Sequence, residues 1–160
     1  MITGGATGIG KETAKKLLAK GVNVVISGRR ADVGAQAEQE LAAFAKDGAK
    51  VKFVQNDVTD EAGVKALIDG IVAEFGALDH AAENIRINGV APGATRTEII
   101  AKQISGADEN IDPKALETMH PMNRMGNPHE PANAIVWLLS DEASFTTGHI
   151  LSVDGGFQAK

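Results

Sequence analysis

The residues with the clearest chemical potential stand near the start of the chain. Thr3-Gly4-Gly5-Ala6-Thr7-Gly8-Ile9-Gly10 lies between a short apolar start and a stretch of helical pattern. Glycines at such a strand-to-helix turn let the backbone turn tightly and approach a pyrophosphate with no Cβ in the way. The helix that follows offers free N–H groups and the positive end of its dipole to the same spot. The spacing is G-x-x-x-G-x-G rather than G-x-G-x-x-G. A second feature, Gly28-Arg29-Arg30, comes 19 residues beyond Gly10, where no Asp or Glu stands. A guanidinium there can hold a phosphate through two parallel hydrogen bonds. Other chemistries find few residues. Cysteine is absent, which removes disulfides, thiolate metal sites and a cysteine nucleophile. His80, His120, His129 and His149 form no H-E-x-x-H and read as surface or packing residues, so no metal is expected. No G-x-S-x-G elbow exists. Tyrosine is also absent, so no phenol can serve as a general acid.

Those residues need elements to position them. Met1 to Thr3 reads as a strand end and Lys11 to Lys20 as a helix stopped by Gly21. Val22 to Ser27 is apolar and β-branched, as a strand buried on both faces should be. Asp32 can cap a second helix, where Val33, Ala37, Leu41 and Phe44 recur at helical spacing, with Gly48 as its end. Val51 to Gln55 is a third strand. Thr59 or Asp60 can cap a third helix with a wide apolar stripe through Val64, Leu67, Ile68, Ile71, Val72 and Phe75, closed by Gly76. Strands alternating with helices imply a parallel sheet with right-handed crossovers.

The second half is less regular. Ile85 to Val90 reads as a strand running into Ala91-Pro92-Gly93. A long stretch to Pro131 follows, with short helices at Ile99 to Ile104 and Pro113 to Met119; stretches of that length are often functional lids. Glu130 to Ser140 is a helix with Ile135, Val136, Leu138 and Leu139 expected inside and Trp137 as a core residue. Ile150 to Val153 is a last strand. Asn88 and Ser27 read as structural.

Composition bounds the function classes. Hydrophobic residues are 43% and charged residues 23% of 160, which fits one globular domain. A net charge of −5 argues against nucleic acid or an anionic membrane surface as the main partner. The longest apolar run, Ala134 to Leu139, is far short of the roughly 20 residues of a spanning helix. No secretory pattern precedes the glycine turn, so a cytoplasmic location is expected.

Several segments in this order resemble the short-chain dehydrogenase/reductase family. Thr3 to Gly10 is similar to its T-G-x-x-x-G-x-G motif. Val51 to Val58 resembles its third strand, and Phe75-Gly76-Ala77-Leu78-Asp79 the F-G-x-L-D that leads into its fourth. Asn84 to Gly93, followed by Thr95-Arg96-Thr97, resembles its sixth strand and P-G-x-x-x-T segment. Pro121 to Gly126, Ser140 to Gly148 and Val153 to Gly156 resemble its C-terminal signature. The resemblance implies an α/β, doubly wound parallel sheet of Rossmann type. It implies an NAD(P)(H)-dependent oxidoreductase moving hydride between nicotinamide and a small carbonyl compound or secondary alcohol. Cofactor-binding residues are then Thr3, Gly4, Gly5, Ala6, Thr7, Gly8, Ile9 and Gly10 at the pyrophosphate and Arg29, with Arg30, at a ribose 2′-phosphate. Asp57 and Val58 would meet the adenine; Pro92, Gly93, Thr95 and Thr97 complete the cofactor-binding set, Thr97 at the nicotinamide carboxamide or a phosphate. Arg29 in place of an acidic residue favours NADP(H) over NAD(H). Met119, Met122 and Met125 fall in the family's substrate lid.

The same resemblance exposes a gap. The family's proton-transfer groups are a tyrosine, a lysine four residues later and a serine; no residue of this chain is assigned to them. Leu78-Asp79-His80 matches the approach to strand four. Ala81-Ala82-Glu83-Asn84 matches the end of the helix that carries the tyrosine and lysine. The join at His80 to Ala82 therefore skips strands four and five with their helices, and most of strand one is also expected to be missing. The chain reads as one truncated dinucleotide-binding domain over 1–160, with a cofactor half over 1–79 and a C-terminal half over 81–160 whose lid is 94–130. The family forms homo-oligomers largely through helices that fall in the skipped region. The alternative reading is a non-catalytic nucleotide-binding remnant, or a truncated product that folds poorly.

Overall fold

Four consecutive side chains, Val24, Val25, Ile26 and Ser27, are buried, and they form the spine of the first sheet. In the computed structural model, which describes residues 1–76, 86–105 and 112–159, the chain divides into two units, Met1–Ile85 and Arg86–Lys160. In the first, β2 (Val24–Gly28) runs parallel to β1 (Ile2–Thr3) on one side and to β3 (Val51–Gln55) on the other. Ile2 stands opposite Ile26, and Ile26 opposite Phe53. Strand side chains alternate between faces. Val24 and Ile26 pack with Ala14 and Leu18 of α1 (Gly8–Leu18) and Ala37 and Leu41 of α2 (Ala31–Ala42). Val25 packs with Leu67 and Ile71 of α3 (Glu61–Phe75). Both faces of the sheet thus carry helices, as a doubly wound parallel sheet requires. Each fully buried Leu or Ile contributes about 1.5–3 kcal/mol, so Leu18, Ile26 and Leu41 anchor this unit. Gly34 brings α2 close to β3, because a Cβ there would lie 2.1 Å from the Phe53 ring.

In the second unit β4 (Gly89–Pro92) and β5 (Ile150–Val153) form a parallel pair, and α6 (His129–Leu139) lies against both. Between them come α4 (Glu98–Ser105) and α5 (Pro113–Thr118). Asp112 caps α5 by accepting from Lys114 N at 2.9 Å, and Pro113 fills its first position, where a missing N–H costs nothing. Five strands in two parallel sheets are present among the described residues, which makes the sheet partial.

Several expectations need correction. The first helix starts at Gly8, inside the glycine segment, not at Lys11. Arg30, not Asp32, occupies the N-cap of α2; Asp32 lies in its first turn, where its charge still suits the dipole. That helix ends at Ala42, so Phe44 falls outside it, 41% exposed, with Lys15 Nζ 4.6 Å above its ring. The α3 stripe is narrower than expected: Val72 is exposed. The strand expected from Ile85 to Val90 is found at Gly89–Pro92. The Ile87 N–H donates to Thr147 Oγ1 and Asn88 Nδ2 to the Thr146 carbonyl, so these two residues bind a loop rather than a strand. Leu139 is 62% exposed and Trp137 40%; a two-stranded sheet covers only part of the apolar face of α6. The segments Ala77 to Asn84 and Ile85, including the join at His80 to Ala82, lie outside the described residues.

Candidate cofactor-binding site

The turn between β1 and α1 is built from glycines that no other residue could replace without movement. Gly4 and Gly8 have φ of 67° and 52°, the left-handed region that costs L-residues about 1–2 kcal/mol. A Cβ at Gly5 would lie 2.6 Å from Ile26 Cγ2, and one at Gly10 would lie 2.6 Å from the Gly4 carbonyl oxygen. The first turn of α1 therefore rests directly on the backbone of Gly4. Thr7 is its N-cap, in extended conformation, and its side chain makes no cap bond. The leading N–H groups of an 11-residue helix are left for another acceptor, and an anion is the acceptor that the dipole favours.

A cleft of about 710 Å³ opens beside this turn. It brings together Gly4, Ala6 and Thr7 with Arg29 and Arg30 beyond β2, and with Asp57 and Val58 beyond β3. All three loops leave the C-terminal ends of parallel strands, where ligands of such sheets bind. Thr3, Gly5, Gly8, Ile9 and Gly10 belong to the same turn but do not line the cleft. Arg29 and Arg30 are exposed and form no ion pair among the described residues. The Arg29 carbonyl accepts from Gln55 Nε2 at 2.9 Å, which ties its backbone to β3. Asp57 Oδ1 accepts from the Thr59 N–H at 3.0 Å and the Thr59 hydroxyl at 2.9 Å. Those two bonds, with a smaller contribution from Arg29, hold the Asp57 carboxyl below its ordinary range.

Two cleft residues escaped the sequence reading. Ser27 Oγ and Asn56 Oδ1 are buried without a hydrogen-bond partner among the described residues. Buried polar atoms are rarely left so, and both fit a cleft that receives a polar ligand. Ser27 looked like an ordinary strand residue, and only the position of Asn56 immediately before Asp57-Val58 could have marked it. The unpaired guanidinium groups, the glycine cradle and the two orphaned atoms together suit a phosphorylated dinucleotide. The lining residues that would hold it are Gly4, Ala6, Thr7, Arg29, Arg30, Asn56 and Asp57.

The remaining candidates lie in the second unit. Pro92 is exposed, and Gly93 lines a separate cleft of about 280 Å³. Thr95 is buried, and its hydroxyl donates to the Gly93 carbonyl at 2.9 Å. The Thr97 carbonyl accepts the first helical bond of α4, from Ala101 N at 2.9 Å. Thr95 also bridges to Gly126, and the Gly126 N–H donates to the Ala94 carbonyl. Arg124 meets Glu130 through two bonds of 2.8 and 2.7 Å, while the Asn127 N–H donates to the same carboxylate at 2.7 Å. The Arg124 guanidinium, seconded by Asn127 N–H, holds the Glu130 carboxyl down to about 2.

Sequence comparison matches both halves of the chain. The family described as short chain dehydrogenase matches residues 1–84, and the one described as Enoyl-(Acyl carrier protein) reductase matches residues 77–158. The chain belongs to the short-chain dehydrogenase/reductase family. It is 27% identical to the 2,5-dichloro-2,5-cyclohexadiene-1,4-diol dehydrogenase of Sphingobium indicum, over 99% of this chain and 96% of that protein. It is 41% identical to the A-factor type gamma-butyrolactone 1'-reductase (1S-forming) of Streptomyces virginiae, over 62% of this chain and 36% of that one. A short-chain type dehydrogenase/reductase from Mycobacterium ulcerans has the same fold, with a TM-score of 0.86 and 24% identity over 99% of this chain and 88% of that one. Family relatives of this kind are oxidoreductases, and the family uses NAD(P). The alignment with the Sphingobium dehydrogenase runs over 248 positions against 160 residues here. At least 88 of its positions thus stand opposite no residue of this chain. The two matched halves meet at residues 77–84, which is where the sequence reading places the join.

Proposed function

We propose that this chain binds NADP(H), in preference to NAD(H), in the cleft beside the β1–α1 turn. The observation that carries this reading is the pair Arg29 and Arg30, without an ion-pair partner among the described residues and lining a cleft with the glycine turn, where an acidic residue would serve a ribose hydroxyl. Arg29 grips the 2′-phosphate, and Arg30 adds positive charge at its side. The N–H groups at the start of α1 take the pyrophosphate. Asn56 Oδ1, an acceptor without a donor among the described residues, receives a hydrogen bond from the adenosine, and Asp57 and Val58 border the base. When bound, the cofactor supplies or accepts hydride at its nicotinamide ring, and the substrate class of the lineage is a small carbonyl compound or secondary alcohol.

The chain's own residues do not complete that chemistry. With no tyrosine in its 160 residues, no phenol can move the proton at the substrate oxygen. The reading is therefore a cofactor-binding member of an oxidoreductase lineage, without turnover of its own. Titration with NADPH and NADH, for the natural chain and Arg29→Asp, tests it. NADPH should bind the natural chain at least tenfold more tightly than NADH. Arg29→Asp should weaken NADPH about 10- to 100-fold, the worth of one charge-assisted bidentate contact of about 1.5–3 kcal/mol, and should affect NADH far less. Equal losses for both cofactors, or none, would remove the reading.

A further inference from the structure

β3 is an outer strand of the first sheet, and among the described residues no strand pairs with its far side. The Val24 N–H donates to the Lys50 carbonyl and the Asn56 N–H to the Gly28 carbonyl, so Lys50 and Asn56 face β2. Backbone direction alternates along a strand, so Lys52 and Val54 also face β2. Val51, Phe53 and Gln55 turn their N–H and carbonyl groups outward. Such an edge is a ready template for another strand. The segment Val51-Lys52-Phe53-Val54-Gln55 is mostly β-branched and aromatic, with one charge, which suits pairing. A cleft of about 440 Å³ adjoins it, lined by Glu38, Ala42, Val51, Lys52 and Glu74 among others. One outward group is already taken: the Phe53 N–H donates to Glu38 Oε2 at 2.6 Å.

We propose that Glu38 guards this edge against strand addition by a second copy of the chain. Its place follows from α2. Gly34 lets that helix rest on the Phe53 ring, and Glu38, one turn later on the same face, reaches the Phe53 N–H. A hydrogen bond to a carboxylate is stronger than one to a neutral carbonyl, so an incoming strand gives up more at Phe53 than it gains there. The second copy is the occupant that this edge would select. In an antiparallel pair centred on Phe53, the two Phe53 residues exchange both N–H···O bonds. Val51 of one copy then faces Gln55 of its partner, and Lys52 faces Val54, so no like charges meet. The N–H that Glu38 holds is the one on which this pairing is centred. Lys52 is turned to Glu74 instead, and among the described residues Glu38 is the side chain that bonds to the outward backbone of β3. Glu38 does not line the cofactor cleft, so the guard stands apart from the reading above.

Amide exchange on the natural full chain is the first test. Corrected for intrinsic rates, the Phe53 N–H should exchange about tenfold or more slowly than the N–H groups of Val51 and Gln55 on the same edge, the worth of one hydrogen bond to a charged acceptor. Sedimentation over a concentration series is the second. Glu38→Ala should self-associate about tenfold or more strongly than the natural chain, towards twice the 16.6 kDa of one copy. Glu38→Gln keeps an oxygen acceptor and should associate less than Glu38→Ala. Val51→Pro, added to Glu38→Ala, removes an outward N–H but no bond to β2, and proline is tolerated as the first residue of a strand; it should abolish the gain. If Glu38→Ala does not fold by circular dichroism, the exchange rates of the natural chain decide alone. Equal exchange of the three amides would overturn the proposal. So would a Glu38→Ala chain that associates no more than the natural one, a Glu38→Gln chain that associates as strongly as Glu38→Ala, or association that Val51→Pro leaves untouched.

Discussion

Two helical glycines make opposite predictions under the same substitution. Replacing glycine by alanine inside a helix ordinarily stabilises by about 1 kcal/mol. Gly70, in α3, has nothing within 4 Å of its would-be Cβ, so Gly70→Ala should gain about 0.5–1 kcal/mol. Gly10 faces the backbone of Gly4 at 2.6 Å, and Cβ contacts under 3.0 Å are essentially never found. The turn and helix must therefore separate by at least about 0.4 Å, and backbone cannot rotate aside as a side chain can. Forced overpacking costs about 1–3 kcal/mol, so Gly10→Ala should come out destabilised by about 0–2 kcal/mol despite its better propensity. Urea unfolding measures both. With a slope of about 1 kcal/mol/M, the Gly70→Ala midpoint should rise by roughly 0.5–1 M and the Gly10→Ala midpoint should fall by up to about 2 M. The same displacement spreads the N–H groups that would meet a pyrophosphate, so Gly10→Ala should also lose at least tenfold in NADPH affinity, while Gly70→Ala keeps it. A Gly10→Ala chain that is more stable than the natural one and binds NADPH equally would refute the close-approach argument.

The other predictions concern pairs and packing. Glu130 is held at about 2 against an ordinary 4.5, so its contribution to stability is full above the ordinary carboxylate range and fades as pH falls through its folded value. The natural chain should therefore exceed Glu130→Gln in unfolding midpoint at neutral pH, and the difference should shrink between about pH 5 and about pH 2; a constant difference would show that the charge is irrelevant. Gly34→Ala should destabilise the first unit by about 0–2 kcal/mol, because the new methyl group meets the Phe53 ring and the overpacking outweighs the gain in helix propensity; a urea midpoint raised as much as that of Gly70→Ala would mean that the ring has room to move.

Much of the first unit was legible in the residues. The β-branched Val24, Val25 and Ile26 announced a strand covered on both faces, although Val22, read as its start, is exposed and lies outside the strand Val24–Gly28, and the helical spacing of Leu67 and Ile71 announced its cover on one side. The glycine spacing marked the phosphate turn, and the guanidinium groups marked its cleft. What sequence could not reveal depends on the third dimension. Leu139 and Phe44 sit at helix-compatible positions, yet whether they are covered depends on what stands opposite. Asp57 satisfies Thr59, which no spacing rule separates from a ligand contact. Ser27 and Asn56 gained interest only because their buried atoms found no partner.

The most direct test of binding without chemistry is a single experiment on purified protein of confirmed 16.6 kDa mass. NADPH is titrated by fluorescence, and simple ketones are then added while its absorbance is followed. The expected result is saturable NADPH binding and no oxidation above the protein-free rate. Steady, ketone-dependent oxidation by a chain of that mass would contradict the account, because it would mean that proton transfer proceeds without the family's tyrosine.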